Sequence, residues 1–242
     1  METINIGKLR RLGYSSIEAY KGLRTNIQFC GRDVKAIVLT SCEPDEGKSS
    51  ISINLACTIA DDGKKVLFVD ADMRKSVLAG RYRISRALNG LSYYLSGRYD
   101  LEEVIYATNV PNLHMIMSGP VPPNPTELLN SDAFRDLIAD AKTKYDYIII
   151  DAPPLGSVID AAIISGEVDG AIMVIAAGKI SYKTEVKVKG QLEKTGCKIL
   201  GVVLNKVRLG RHSYYDKYYG KYYGKYYGKY YGRYAKETGN HK

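Results

Sequence analysis

Residues 41 to 50, Ser-Cys-Glu-Pro-Asp-Glu-Gly-Lys-Ser-Ser, constrain this chain more than any other stretch. An apolar run, Ala36-Ile37-Val38-Leu39-Thr40, leads into them, and a helix-compatible segment, Ser49 to Ala60, leads out. Strand, tight loop and helix in that order is the setting of a phosphate-binding loop. Backbone N–H groups and the helix N-terminus face an anion, and a lysine reaches the outer phosphates. Lys48 holds the lysine's place, and the Ser49 hydroxyl follows it, where it can ligate Mg2+. Pro44, Asp45, Glu46, Gly47 and Ser50 complete the candidate nucleotide-binding set. Cys42 stands where the first glycine of G-x-x-x-x-G-K-[ST] belongs, so the loop is a variant, and a capped Gly-Lys-Ser helix start is the competing reading.

Two further apolar runs end in carboxylates. Val66-Leu67-Phe68-Val69 is followed by Asp70-Ala71-Asp72-Met73-Arg74, and Tyr147-Ile148-Ile149-Ile150 by Asp151-Ala152-Pro153-Pro154. Runs of this kind are buried parallel strands, and open α/β sheets place their ligands at the carboxyl ends of such strands. Asp151 sits where a Walker B acid holds Mg2+ directly or through water. Asp70 and Asp72 are costly so close together unless a cation or substrate occupies the site; a polar turn after a strand is the bland alternative. Strand-like 112–117, 171–176 and 199–204, with helical stretches between, complete the alternation. The expected fold is α/β, a doubly wound, mostly parallel sheet of the P-loop NTPase kind with helices on both faces. Asn205 follows the last strand and is a candidate contact to the nucleotide base, with packing an equal alternative. Three motifs at one sheet edge imply binding of a nucleoside triphosphate with Mg2+.

Two hundred and forty-two residues suffice for one α/β domain with attachments. No apolar run approaches the roughly 18 to 20 residues that span a bilayer, and the N-terminus does not read as a signal peptide, so a cytoplasmic protein is expected. Cys30, Cys42, Cys57 and Cys197 are scattered, as are His114, His212 and His241, which indicates neither disulfides nor a zinc site.

Charge is unevenly placed. The chain carries +9, of which residues 208–242 hold +7, so the body is nearly neutral and the C-terminus is a basic arm. That arm is a repeat of Tyr-Tyr-Gly-Lys units containing Tyr214, Tyr215, Tyr218, Tyr219, Tyr222, Tyr223, Tyr226, Tyr227, Tyr230, Tyr231 and Tyr234. Glycine at every fourth place without aliphatic residues reads as a disordered tail. At the other end, residues 1–15 read as a flexible lead-in. From Ser16 to residue 29 a helix is expected, with Ile17, Tyr20, Leu23 and Ile27 on one face. Glu18, Lys21 and Arg24 form a second stripe that is either a solvated set of ion pairs or a contact to another subunit. The expected division is thus 1–15 lead-in, 16–207 domain with 16–29 as its N-terminal helix, and 208–242 tail.

These residues together resemble the bacterial tyrosine kinases (BY-kinases) of capsule and exopolysaccharide systems, in the cytoplasmic form that lacks a fused membrane domain. The resemblance rests on Ser16-x-Glu18-x-Tyr20-x-x-x-Arg24-Thr25-Asn26, the loop with Pro44, Asp70-x-Asp72-x-Arg74, Pro123-Asn124-Pro125-x-Glu127-Leu128-Leu129, Asp151-x-Pro153-Pro154 and the tyrosine tail. It departs where Lys21 replaces the first arginine of the family's Glu-x-x-Arg-x-x-Arg helix, since lysine lacks the bidentate fork. Acidic Asp45 and Glu46 also stand where small residues are usual; outward-pointing side chains would make them harmless. The resemblance implies phosphoryl transfer from ATP, with Mg2+, to the tail tyrosines of a neighbouring subunit. Lys48 and the loop amides would hold the phosphates, and Ser49, Asp72 and Asp151 the Mg2+. Asp70 would take the tyrosine's proton, and Arg74 would steady the carboxylates or phosphates. It further implies a homo-oligomeric ring built through Glu18, Lys21 and Arg24, a transmembrane activator of the polysaccharide co-polymerase type that recruits the kinase to the membrane, and a protein-tyrosine phosphatase that resets it. Two alternatives remain. A positioning-type P-loop ATPase carries a signature lysine at the place of Glu43 and lacks a tyrosine cluster. A nucleic-acid-binding or other anion-binding role for the basic, aromatic tail lacks an accompanying binding fold, so no nucleic acid is expected.

Overall fold

The computed structural model describes residues 1–6, 12–82 and 88–207. Met1–Asn205 forms one compact unit. The eleven tail tyrosines lie outside the described residues. Among the described residues eight strands make one sheet: β1 (Glu2–Ile4), β2 (Ala36–Ser41), β3 (Val66–Asp70), β4 (Ile105–Thr108), β5 (Leu113–Ile116), β6 (Tyr147–Asp151), β7 (Gly170–Ala176) and β8 (Ile199–Asn205). Their order is β1-β4-β5-β3-β6-β2-β7-β8, with every pair parallel except β4 and β5. This is the mostly parallel α/β fold that the alternation of strands and helices implies.

The central strands are apolar throughout because both faces are covered. Period-2 alternation divides their side chains between two cores. Ile37, Leu39, Val66, Phe68 and Ile149 join one core with α1 (Tyr14–Phe29) and α2 (Lys48–Ala60). Val38, Leu67, Val69, Ile148 and Ile150 join the other with α7 (Asp132–Lys144), α8 (Asp160–Ser165) and α9 (Tyr182–Glu193). Short helices α3 (Leu78–Arg81), α4 (Leu91–Leu95), α5 (Leu101–Val104) and α6 (Pro125–Leu129) fill the connections.

Two local expectations change. Residues 1–15 are not all lead-in: Glu2–Ile4 pairs with β4 in parallel, and Ile4 and Ile6 are buried. Its partner strand lies about a hundred residues away, beyond the reach of local pattern. The first helix begins at Tyr14 rather than at Ser16. Gly13 is its N-cap, and its carbonyl accepts from the Ser16 and Ile17 N–H groups. Ile105 starts β4 directly after a short helix. The Asp100/Glu103 capping box begins α5, which stops at Val104 where the chain turns extended.

Candidate functional site

The carboxyl ends of β3, β6 and β2 lie side by side, with Asp70 opposite Asp151 and Asp151 opposite Leu39 in register. The loop after β2 therefore closes over two strand ends that carry acids. Lys48, the first residue of α2, is buried and sends its ammonium back across this edge, to 3.2 Å from Asp151 Oδ1 and 3.6 Å from Asp72 Oδ2. It also lies 3.2 Å from Ser49 Oγ. Ser52, one turn on, donates to Asp151 Oδ1 at 3.0 Å. The three motifs do converge.

Asp70 is fully buried. Burial, then the charge of Asp151, pushes its carboxyl up to about 7, against the pull of the Ser76 hydroxyl and Lys48. Ser76 donates to Asp70 Oδ2, while Asp70 Oδ1 and Asp151 Oδ2 are buried without hydrogen-bond partners. Asp72 accepts from the Lys75 N–H at 3.0 Å. Among the described residues no cluster of three or more His, Cys, Asp or Glu forms a ready-made metal cage. Mg2+ takes one or two carboxylates and completes its shell with water and phosphate oxygens. Hard oxygen donors with two orphaned, buried carboxylate oxygens fit such an ion.

The loop's shape is fixed by a side chain expected to point away. Glu46 is fully buried; its Oε2 accepts from the Glu43 N–H at 2.8 Å and its Oε1 from the Ala176 N–H, at the end of β7, at 2.9 Å. The carboxylate acts as an internal brace because the two N–H groups have no strand partner there to take them. It is the backbone of Glu46, not the side chain, that remains for a phosphate. Asn205 donates to the Glu46 carbonyl at 2.8 Å, so its amide clamps the loop from β8. Gly47 has φ +94°, and a Cβ there would lie 2.1 Å from Asn205 Nδ2, which leaves glycine as the residue that fits. Asp45, also left-handed at φ +62°, is exposed, as is Pro44, whose carbonyl accepts from the Lys179 ammonium. Cys42 is buried against the loop after β6: a Cβ on Gly156 would meet the Cys42 carbonyl oxygen at 2.1 Å. Thr40, donating to the Pro153 carbonyl at 2.8 Å, ties the same two strand ends together.

Arg74 does not reach the carboxylates it was expected to steady. Its Nε and Nη2 grip both oxygens of Asp160, at 2.7 and 3.0 Å, and Nη2 also donates to Thr126 Oγ1 at 2.8 Å. Asp160 is fully buried at the start of α8 and takes the guanidinium fork through both its oxygens, whereas Asp72 is already engaged by Lys48 and the Lys75 N–H. Sequence reading missed Asp160, since nothing in Ser157-Val158-Ile159-Asp160 marks it. Ser50 accepts from Arg81 at 2.6 Å, which pins α3 to the start of α2. In the N-terminal helix, Lys21 pairs with Glu18 at 2.9 Å on the exposed face. Arg24 instead binds the Thr58 carbonyl in the last turn of the neighbouring α2, at 3.4 Å, and Asp62 in the turn just beyond it, at 3.0 Å.

Fold and site together define a P-loop nucleotide-binding protein, and residues 34–183 match the AAA domain family model. The septum site-determining protein MinD of Pyrococcus horikoshii, solved with Mg-ADP, superimposes with a TM-score of 0.61 at 29% identity, over 74% of this chain and 72% of that one. Likeness within the class is closer elsewhere. The kinase domain of the Escherichia coli tyrosine kinase ETK gives a TM-score of 0.76 at 31% identity, over 88% of this chain and 93% of that one. The tyrosine-protein kinase CpsD of Streptococcus agalactiae serotype III is 47% identical over 199 residues, 82% of this chain and 86% of that protein. The chain belongs to the bacterial protein-tyrosine kinases. Among the described residues no helix is long and apolar enough to cross a membrane.

Proposed function

We propose that this chain transfers the γ-phosphoryl group of ATP to tyrosines of the C-terminal cluster of another copy of itself, and so regulates the synthesis and export of a capsular polysaccharide. The observation that carries the reading is the placement of Lys48 between Asp151 and Asp72, beside the buried, proton-seeking Asp70, at the mouth of a braced phosphate loop. The alternative of a positioning ATPase has less support, because the likeness to MinD is lower in both identity and TM-score than the likeness to tyrosine kinases.

In this reading, loop amides and the start of α2 receive the β- and γ-phosphates. Lys48 swings from its carboxylates to the transferring charge. Ser49, Asp72 and Asp151 are the residues that would hold Mg2+, which neutralises phosphate charge when bound. Tyrosine, with a pKa near 10, arrives protonated. Its O–H bond breaks with the proton passing to Asp70, and the phenolic oxygen bonds to the γ-phosphorus. The bond to the β,γ-bridging oxygen breaks, and that electron pair leaves with ADP. Asp70 Oδ2 already accepts a hydrogen bond from a hydroxyl, that of Ser76, so the carboxylate is placed to receive such a proton. Arg74 acts at one remove: its grip on Asp160 and Thr126 holds the loop that carries Asp72 against α6 and α8.

We further propose a ring of subunits in which Glu18 and Lys21 face a neighbour, a transmembrane activator that brings the kinase to the inner face of the membrane, and a phosphatase that resets it. The test is incubation of the purified chain with ATP and Mg2+, read by intact mass. Successive additions of phosphate, absent in Lys48→Met, support the reading. ATP hydrolysis without any phosphate on the protein overturns it in favour of an ATPase.

A further inference from the structure

Asp70 has no exposed surface, so an incoming tyrosine can reach it only where something now covers it. The group on its Oδ2 is the hydroxyl of Ser76. Ser76 is itself only partly buried, and its neighbours Lys75 and Val77 are exposed, Val77 by 43%. Ser76 Oγ also accepts from the Leu78 N–H at 3.3 Å, where α3 begins. The segment is thus a short cover, seated by the buried Leu78 and by Arg81 on Ser50, with a hydroxyl on its underside.

We infer that Ser76 Oγ marks the acceptor subsite: it makes to Asp70 the hydrogen bond that the phenolic hydroxyl of the substrate tyrosine makes, and tyrosine binding displaces it. The inference rests on the reading of Asp70 as recipient of the tyrosine's proton. Three features agree. A hydroxyl donating to a carboxylate is the geometry that proton transfer from a phenol requires. The displaced Ser76 loses no more than one hydrogen bond to Asp70 and stands next to water, which takes up its hydroxyl. Val77 beside it offers exposed apolar surface to an aromatic ring, and the phenol's hydroxyl then replaces the serine's without leaving Asp70 unpaired. A role limited to capping α3 accounts for the bond from Leu78 but not for the bond to Asp70.

The experiment uses the full chain with ATP and Mg2+ and, as acceptor, a peptide of residues 217–232, with phosphate on peptide and on tail separated by mass spectrometry. Ser76→Ala removes the competitor and lowers the KM for peptide roughly three- to tenfold, the scale of one displaced hydrogen bond, while the KM for ATP stays put. Ser76→Thr, which restores a hydroxyl, returns the peptide KM toward that of the unsubstituted chain. An unchanged or raised peptide KM in Ser76→Ala overturns the inference. So does a fall accompanied by a changed KM for ATP and a lower Tm, which is what loss of a mere cap produces. Two controls separate this from the reading beneath it. No phosphate on peptide from the unsubstituted chain overturns the kinase reading and the inference with it. Full peptide phosphorylation by Asp70→Asn overturns the role of Asp70, whatever Ser76→Ala does.

Discussion

Asp70 and Asp151 are register partners across β3 and β6, both buried, each with one carboxylate oxygen that has no hydrogen-bond partner. Lys48 alone stands near them as a buried cation among the described residues, and it contacts Asp151. The site is therefore built with more negative charge than it neutralises, a condition that a cation and a displaced lysine relieve together.

Lys48→Met is expected to cut autophosphorylation by a factor on the order of 10² or more, the scale on which a positioned charge acts in such sites. The lysine is buried rather than exposed, so the same change also lowers the Tm by leaving Asp151 short of its partner. Intact mass and a thermal melt check the two effects. A retained circular dichroism spectrum shows that the loss of activity is not unfolding.

Glu46 offers a test of the loop brace. Glu46→Ala orphans the N–H groups of Glu43 and Ala176 and is expected to weaken ATP binding roughly tenfold or more, at about 1–3 kcal/mol per unsatisfied group. Glu46→Gln keeps one acceptor and sets an amide N–H2 against the other donor, so it falls between. Titration with a fluorescent ATP analogue ranks the three proteins. Equal affinities would refute the brace.

Gly47→Ala should abolish nucleotide binding, because the new methyl lies on Asn205 and the backbone is left-handed. Combining it with Asn205→Ala removes the collision but not the backbone strain, so recovery is expected to be partial. Non-additivity measured in this double-mutant cycle reports the contact directly.

A pH dependence of stability follows from Asp169. Burial works against its charged form, but the Lys142 ammonium at 2.7 Å and the N–H groups of Ala36 and Lys35, at 2.8 and 3.0 Å, outweigh it and hold the carboxyl below its ordinary value. A lowered folded-state pKa means stabilisation that is complete above about 4, the unfolded value, and is lost as pH falls through the folded one. Urea unfolding from pH 7 to pH 3 should show Asp169→Asn less stable at neutral pH, with the gap to the unsubstituted protein closing on acidification. A constant gap would mean the carboxylate's charge is immaterial.

The N-terminal helix separates assembly from folding. Glu18 and Lys21 pair with each other on the exposed face, whereas Arg24 is committed to Asp62 and Thr58 of its own chain. If the proposed ring uses this face, Glu18→Ala with Lys21→Ala reduces the mass seen by light scattering and leaves the Tm close to its starting value. Arg24→Ala instead lowers the Tm. An unchanged mass in the double variant would leave Glu18 and Lys21 as a solvated pair.

What the sequence determined by itself was the sheet edge. Runs such as Val66–Val69 and Tyr147–Ile150 are apolar at every position because both faces of a central strand are buried, and the acid that ends each run marks the edge where ligands bind. The convergence of Lys48, Asp70, Asp72 and Asp151 on one edge was legible for that reason, since each is a fixed number of residues from a strand end or a helix start. The tertiary structure alone decided which partner each charge takes. Asp160, the counterpart of Arg74, lies 86 residues away on another element, and no local pattern marks it. Glu46 looked like a misplaced surface charge until β7 supplied the Ala176 N–H, 130 residues distant, that turns it inward. Strand β1 was hidden in the same way, because three residues carry no period and their partner comes a hundred residues later. Periodicity records how much of an element is buried. It does not record which distant donor or acceptor meets a given side chain, and the resting state of this site depends on those meetings.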